Sequence, residues 1–326
     1  MEEKISNMDK KILLELDKDS RQPYSKLAKR LGTSQQVINY RIKRLLDIGV
    51  ITEFVTSFST VSLGLPIITK FYIQLTGTDE KTEKKLQEYL LKHKDVNWVA
   101  QTLGEYDLFT AVMVKDLETL GDFKEDLFTH FGKYINEYEI AFIHHAVTLP
   151  RTYINEKSKE YLKQAKIHES VKIDLSKKDK KIIKEIANNS RISVLDLAKS
   201  NGVDVRTVIK RLRFFEDKRL IQGFRININR QKLGVRYYKV FIKLRSYGGE
   251  GMKQLEEYCN SKKGVLHFIE NIGKYEYELE MEVPSPEEMQ KFIKELRNEY
   301  SKTIDHIKTV EIIDELKLSW IPNGFD

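Results

Sequence analysis

Apolar residues recur along this chain with two different periods, and the change from one to the other happens twice. Over residues 9–46 the spacing is helical. Residues 9–16 put Ile12, Leu13 and Leu16 on one side, and residues 24–31 put Leu27, Ala28 and Leu31 on one side. Residues 33–46 do the same with Ile38, Ile42 and Leu45, and leave Gln36, Tyr40, Lys43 and Arg44 on the other face. Ser20-Arg21-Gln22-Pro23 breaks the first two helices apart, since proline suits a turn or a first helical position. Gly32 permits a tight turn into the third helix, which Thr33 or Ser34 can cap, and Gly49 ends it. Residues 51–58 alternate weakly and read as a strand, with a return strand expected near Thr60. Three short helices followed by a small hairpin predict a winged helix-turn-helix.

After Leu63-Gly64 the period shortens to two. Strands are expected over 70–75, 96–102 and 108–114, and a last one within 134–149, where Tyr138, Ile140 and Phe142 alternate. Helices are expected over 80–91 and 117–131, and Gly104-Glu105-Tyr106-Asp107 reads as a turn. The order β-α-β-β-α-β is that of a ferredoxin-like domain. Its helices cover one face of an open sheet. The other face needs a cover, and a second copy of the same sheet is the natural one.

That second copy is in the chain. Asp9-Lys10-Lys11-Ile12 returns as Asp179-Lys180-Lys181-Ile182, and Ser20-Arg21 as Ser190-Arg191. Leu27-Ala28-Lys29 returns as Leu197-Ala198-Lys199, Gly32 as Gly202, Arg41 as Arg211 and Leu63-Gly64 as Leu233-Gly234. Further on, Gly273-Lys274-Tyr275-Glu276 mirrors the earlier turn. An internal repeat of this kind means two supersecondary units, not one larger fold. The expected class is therefore α+β, with two tandem copies of an N-terminal winged helix-turn-helix followed by a ferredoxin-like domain. The expected domains are residues 1–64, 65–150, 177–234 and 235–326. The linker, 151–176, is expected to be partly helical over 156–167.

Composition narrows the class of protein. The 326 residues carry 32% charged and 40% hydrophobic side chains, which suits ordered domains with wet surfaces. No window approaches the apolar length that spans a membrane. The charged start MEEKISNMDKK lacks a targeting segment, and Cys259 is the single cysteine. Both point to the cytoplasm, without disulfides or a zinc ribbon. The net charge of +7 is unevenly spread. Residues 177–236 hold 17 Lys and Arg against six Asp and Glu, whereas residues 66–150 hold nine against fourteen. A polyanionic partner would meet particular modules.

The third helix of each copy is where such a partner would dock. Ser34, Gln35, Gln36 and Asn39 stand early on the outer face, and amides present a donor and an acceptor together, which suits adenine. Tyr40, Lys43 and Arg44 are placed for the backbone or groove wall. In the second copy Arg206, Thr207, Lys210 and Arg213 take the corresponding places, and Arg206 can read guanine. Arg225 and Arg230 on the second wing are candidates for phosphate flanks. The faces differ, so the second head is expected to give the more salt-dependent affinity and the first the more amide-based selectivity. Phe214 falls near the outward half of its helix and is expected to pack on the wing or another domain. His144 and His145 are adjacent in a strand and point to opposite faces, so they form no metal pair. Glu105 with Asp107, and Glu276 with Glu278, read either as ligand-facing acids or as solubilising turn and strand-edge residues. No phosphate loop, nucleophile elbow or spaced carboxylate pair stands out, so no cofactor, metal or enzymatic activity is expected.

Each half resembles the leucine-responsive and asparagine-synthesis regulator family, Lrp/AsnC. In the first copy the resemblance rests on DKKILLEL, SKLAKRLG, SQQVINYRIKRLLDIGVI and GEYDLFTAVMVKD. In the second it rests more loosely on DKKIIKEI, LDLAKSNG, VRTVIKRLRFFEDKRLI and GKYEYELEMEV. The resemblance implies a transcription regulator that binds double-stranded DNA and pairs through its sheet domain. It also implies a small effector, commonly an amino acid, near Gly104, Tyr106 and Asp107. Glu276 departs from the aspartate of that turn. One such unit per chain is usual, so the tandem implies an internal pseudo-dimer, a homodimer through the sheets, or both. The same two-domain unit also occurs in enzymes that decarboxylate sirohaem with two related subunits, and a fused pair would look like this chain. An architectural DNA-binding protein is a third reading.

Overall fold

The computed structural model describes residues 5–154, 165–166, 173–245 and 250–325. In the first copy α1 (Asn7–Lys18), α2 (Tyr24–Leu31) and α3 (Gln35–Asp47) form a head that continues into β1 (Ile51–Phe58). There follow β2 (Ile67–Leu75), α4 (Glu80–Lys92), β3 (Val96–Leu103), β4 (Leu108–Val114), α5 (Leu117–Phe131) and β5 (Ile135–Thr148). A two-residue strand, β6 (Ala165–Lys166), pairs with the end of β5. The second copy repeats the order as α6 (Lys177–Ala187), α7 (Val194–Asn201), α8 (Val205–Asp217) and β7 (Ile221–Ile228). Its sheet domain is β8 (Arg236–Leu244), α9 (Glu250–Ser261), β9 (Val265–Ile272), β10 (Tyr277–Val283), α10 (Pro286–Glu299) and β11 (Ile304–Leu318). Within the linker, the stretch 156–167 expected to be helical lies outside the described residues except for Ala165 and Lys166, which are extended.

Local chemistry sets the helix ends. Ser6 and Asp9 form a reciprocal capping box at α1, and Ser176 and Asp179 repeat it at α6. Gly32 and Gly202 adopt φ of +64° and +61° at the turn before each third helix. A side chain is strained there and glycine is not.

The wing departs from expectation. No return strand follows β1 near Thr60; residues 59–64 form a turn. The partner of β1 is β7 of the other copy, antiparallel, with Val55 opposite Arg225. The reason lies in the cores. Ile226 and Ile228 from β7 pack with Ile12, Leu16, Ile38 and Ile42 of the first head. Phe58 and Leu63, which follow from β1, pack with Ile182, Ile186, Leu212 and Phe215 of the second head. Each head lends apolar side chains to the other's core, so a hairpin within one head would leave both cores short.

The two sheets are joined as well. β3 pairs with β11 and β5 with β9, across the copies. Because β2 pairs with both β4 and β5, the order β2-β4-β3-β11-β8-β10-β9-β5 closes on itself. Helices α4 and α5, and α9 and α10, cover the outside through separate apolar clusters. The inside is shared: Tyr72, Trp98 and Phe109 of the first copy meet Tyr237, Phe241 and Tyr275 of the second. The sheet face that needed a cover is closed by the other copy within the same chain.

Candidate functional site

Helix α3 is fixed by Ile38, Ile42 and Leu45, all buried. Its opposite face is open. Ser34, Gln35, Gln36, Asn39, Tyr40 and Lys43 are exposed, Tyr40 to 68%. The Ser34 hydroxyl accepts from the Val37 amide at 3.2 Å and is committed to the cap. Arg44 is half-buried, 3.6 Å from Asp9. Helix α8 has the same construction. Val208, Leu212 and Phe215 face in, and Arg206, Thr207, Lys210 and Arg213 are exposed. Asp204 caps it, accepting from the Thr207 amide and hydroxyl at 2.9 and 2.6 Å. Phe214 packs within its own head, against Phe215 and under the Arg211 guanidinium at 4.5 Å.

Arg225 and Arg230 are a correction. Both guanidiniums turn inward: Arg225 donates to Asp17 at 2.8 Å, and Arg230 to Glu282 at 2.6 Å and Glu315 at 2.8 Å. Arg230 thus ties the wing to the barrel strands, and Arg225 ties it to α1 and, at 2.9 Å, to the Leu149 carbonyl beyond β5, so neither faces outward.

The Gly-x-Tyr-Asp turn is tied to its own sheet. Tyr106 is buried, and its hydroxyl accepts from Lys308 Nζ at 2.9 Å. Asp107 is exposed and accepts from the Leu75 amide at 2.7 Å. Glu276 stands in the same place in the second copy and accepts from the Leu244 amide at 2.8 Å. The longer acid therefore does the same backbone work as the aspartate. Gly104, with φ of +140°, and Glu105, 2.8 Å from Lys308, are exposed. His144 is exposed and His145 half-buried. Among the described residues no group of three or more His, Cys, Asp or Glu is placed to hold a metal.

What the sequence reading missed lies inside. Of the acids there it singles out only Glu278, as a ligand-facing acid or a solubilising strand-edge residue, and that side chain is fully buried. Three glutamates on alternate positions of β10, Glu278, Glu280 and Glu282, point into the barrel and are buried. Lys70 and Lys239, equivalent residues of the two copies, each reach Glu278 and Glu280 at 2.9–3.1 Å. Tyr72 donates to Glu278, and Tyr237 to Glu280 at 2.7 Å. Nearer the wings, Arg151 joins Asp17 at 2.7 Å to Glu282 at 2.9 Å. Burial pushes the Glu282 carboxyl up, but Arg151 and Arg230 outweigh it and hold it at about 2. Glu280 is likewise held well below its ordinary range by Lys239 and Lys70, against burial. The signal was present in YELEMEV, an acid at every second position of a strand. Its counterpart LFTAVMV has Phe109, Ala111 and Met113 in those places.

Two spaces adjoin this network. A cavity of about 110 Å³ lies between the wing strands and the barrel, bordered by Lys70, Arg151, Arg225 and His267. A wider cleft of about 790 Å³ runs beside β7 and β11 and shares Asn227, Arg230, Tyr237 and Glu315 with it. His267 accepts from or donates to Thr148 Oγ at 3.0 Å through Nδ1. Burial drives its pKa down to about 4, against the pull of Glu280 at 3.8 Å.

Known proteins divide along the same lines as the structure. A family model described as winged helix-turn-helix DNA-binding matches residues 5–52 and 175–222. The HTH-type transcriptional regulator Ptr1 of Methanocaldococcus jannaschii is 30% identical over 122 residues, which is 36% of this chain and 78% of that protein. LrpA of Pyrococcus horikoshii is 31% identical over 121 residues, 36% of this chain and 82% of that one. A different kind of relative emerges from the whole fold. The crystal structure of the siroheme decarboxylase NirDL is similar over 97% of this chain and 94% of that one, with TM-score 0.64 and 13% identity. Its complex with an iron-uroporphyrin III analogue gives 0.65 over 98% and 95%, again at 13% identity. This likeness corrects the expectation that the chain is not an enzyme, because an enzyme is built on the complete tandem fold. The fold is thus that of a DNA-binding regulator carried twice, and also that of a decarboxylase. Among the described residues no helix is long and apolar enough to cross a membrane. With a winged head and a βαββαβ domain in each half, and regulators of one unit's length as its sequence relatives, the chain belongs to the Lrp/AsnC family.

Proposed function

We propose that this chain binds double-stranded DNA as a transcription regulator, with the two reading heads of a family dimer supplied by one polypeptide. The observation that carries this is the outer face of α3 and α8. Both are open to solvent, while their inner faces complete the head cores. Exposed amides on α3 suit base edges, and exposed Arg206, Lys210 and Arg213 on α8 suit guanine and phosphates. The turn at Gly104, Tyr106 and Asp107 is the proposed place for a small effector, with Gly104 and Asp107 as its exposed part.

Sequencing the genomic fragments retained by the full chain tests this. Discrete sites with two unlike half-sites support it. Uniform retention favours an architectural role, and no retention at low salt removes the DNA-binding reading. The full chain is required because each head borrows core residues from the other.

A second reading is favoured by the near-complete likeness to siroheme decarboxylase: chemistry on a carboxylate-bearing tetrapyrrole. The inner cavity, at about 110 Å³, is too small for such a macrocycle, so the substrate would occupy the 790 Å³ cleft. There Arg236 is exposed but already paired with Glu311 at 3.3 Å, so a carboxylate would have to compete for it, and Glu53 and Asp314 oppose one. Mixing the chain with sirohaem separates the readings. A bound chromophore and release of carbon dioxide support this one; an unchanged absorbance spectrum removes it.

A further inference from the structure

We propose that the 110 Å³ cavity between the wing strands and the barrel binds a small neutral molecule of about one ring, carrying a hydrogen-bond donor and an acceptor as a cyclic amide does. The site is separate from the DNA-reading faces and stands whether or not they act as proposed.

Size sets the first limit. A cavity of about 150 Å³ admits a benzene ring, so about 110 Å³ admits a small ring and little more. The walls are largely apolar, including Ile68, Ala111, Met113, Ala146 and Leu266. Charged and polar side chains interrupt them, and two of the lining residues carry an unmet hydrogen-bonding group. Asn97 is 6% exposed; its Nδ2 donates to the Ser319 carbonyl at 3.3 Å, and its Oδ1 has no partner among the described residues. The Nε1 of Trp320 is also buried and without a partner among them. Leaving a buried donor or acceptor unmade costs about 1–3 kcal/mol each. A ligand whose carbonyl accepts from Trp320 and whose N–H donates to Asn97 answers both.

Charge sets the second limit. Lys70, Arg151, Arg225 and Arg230 border the cavity, and every one is already paired: Lys70 with Glu278 and Glu280, Arg151 and Arg225 with Asp17, Arg230 with Glu282 and Glu315. An anion would have to break buried pairs to enter. A cation would meet those same basic side chains, and the two acids of the lining, Glu280 and Glu315, are already held by Lys70, Lys239 and Arg230. A neutral molecule disturbs neither.

The chain holds two tryptophans, Trp98 and Trp320, and both line this cavity. Intrinsic fluorescence therefore reports occupancy directly. The test titrates the full chain with γ-butyrolactam, a five-membered ring no larger than benzene, followed by tryptophan fluorescence and thermal melting. Controls are γ-butyrolactone, which has the same shape without the N–H, and the butyrate anion. Saturable binding of the lactam, at least tenfold tighter than the lactone and with no response to butyrate, is the expected result. Trp320→Phe keeps an aromatic ring, smaller than the indole, and removes the donor; Trp98 still reports, and the lactam should bind about tenfold more weakly. Ala111→Leu fills the space and should abolish the response. Equal binding of lactam and lactone, preference for butyrate, or no saturable response to any probe overturns the proposal.

Discussion

The hydroxyls of Ser20 and Ser190, equivalent residues 170 positions apart, lie 2.6 Å from one another in full burial. Around them Arg21 donates to the Ser190 carbonyl and Arg191 to the Ser20 carbonyl, so the contact is reciprocal. This is the pseudo-two-fold axis of the heads, written in side chains. Removing one hydroxyl leaves the other without its partner in a buried site, which costs about 1–3 kcal/mol. Ser20→Ala should therefore destabilise the chain by that order. The double change with Ser190→Ala should cost less than twice as much. A double-mutant cycle by denaturant unfolding measures the coupling, expected near 1 kcal/mol.

Arg151 is the rivet between first head and barrel. It joins Asp17 of α1 to Glu282 of β10, and all three are buried. Replacing it with methionine leaves Asp17 with Arg225, and Glu282 with Arg230 and the Tyr153 hydroxyl. A loss of about 3–5 kcal/mol is expected at neutral pH. The deficit should shrink as acid protonates the carboxylates, which unfolding curves collected down the pH scale will display.

Acid should act on the native chain in two stages. His267 has its folded pKa lowered to about 4 from an ordinary 6.5, so the unfolded chain takes up the proton first. Stability from the neutral imidazole is complete above about pH 6.5 and is lost as pH falls through 4. Glu282, held at about 2 from an ordinary 4.5, adds stability above 4.5 that is lost toward pH 2. His267→Gln should flatten the upper stage, worth on the order of 3 kcal/mol, and leave the lower one. Melting temperature against pH for the two proteins decides it.

The two reading faces should fail differently. Lys210→Ala or Arg213→Ala should weaken DNA binding about uniformly across sequences and lower the salt slope by about one each. Asn39→Ala should cost about 1–3 kcal/mol at preferred sites and little elsewhere. Titrations of the full chain over a salt series, on selected and random duplexes, distinguish these outcomes.

Both repeats could be read from the linear chain because they depend on near neighbours. Helix α5 was expected over 117–131 and spans Leu117–Phe131; α2 was expected over 24–31 and spans Tyr24–Leu31. Caps, glycine turns and the helical stripe operate within a few residues. The outward face of α3 was legible for the same reason, since three inward apolar residues dictate which side is left.

Pairing across 170 residues is another matter. A strand such as β1 carries no local mark that distinguishes a hairpin partner from a strand in the other copy. The choice falls to whichever arrangement fills two cores, and Ile226 and Phe58 decide it from opposite heads. Charge follows the same rule. Arg225, Arg230 and the acids of β10 look like surface residues in one dimension, and only closure of the barrel brings Asp17, Lys70 and Arg151 close enough to bury them. The amino-acid order thus determined the elements, their repetition and the exposed reading helices, all products of short-range stereochemistry. The tertiary structure alone decided which strands exchange, which arginines turn inward and where a cavity remains, because those depend on long-range contacts that burial makes strong.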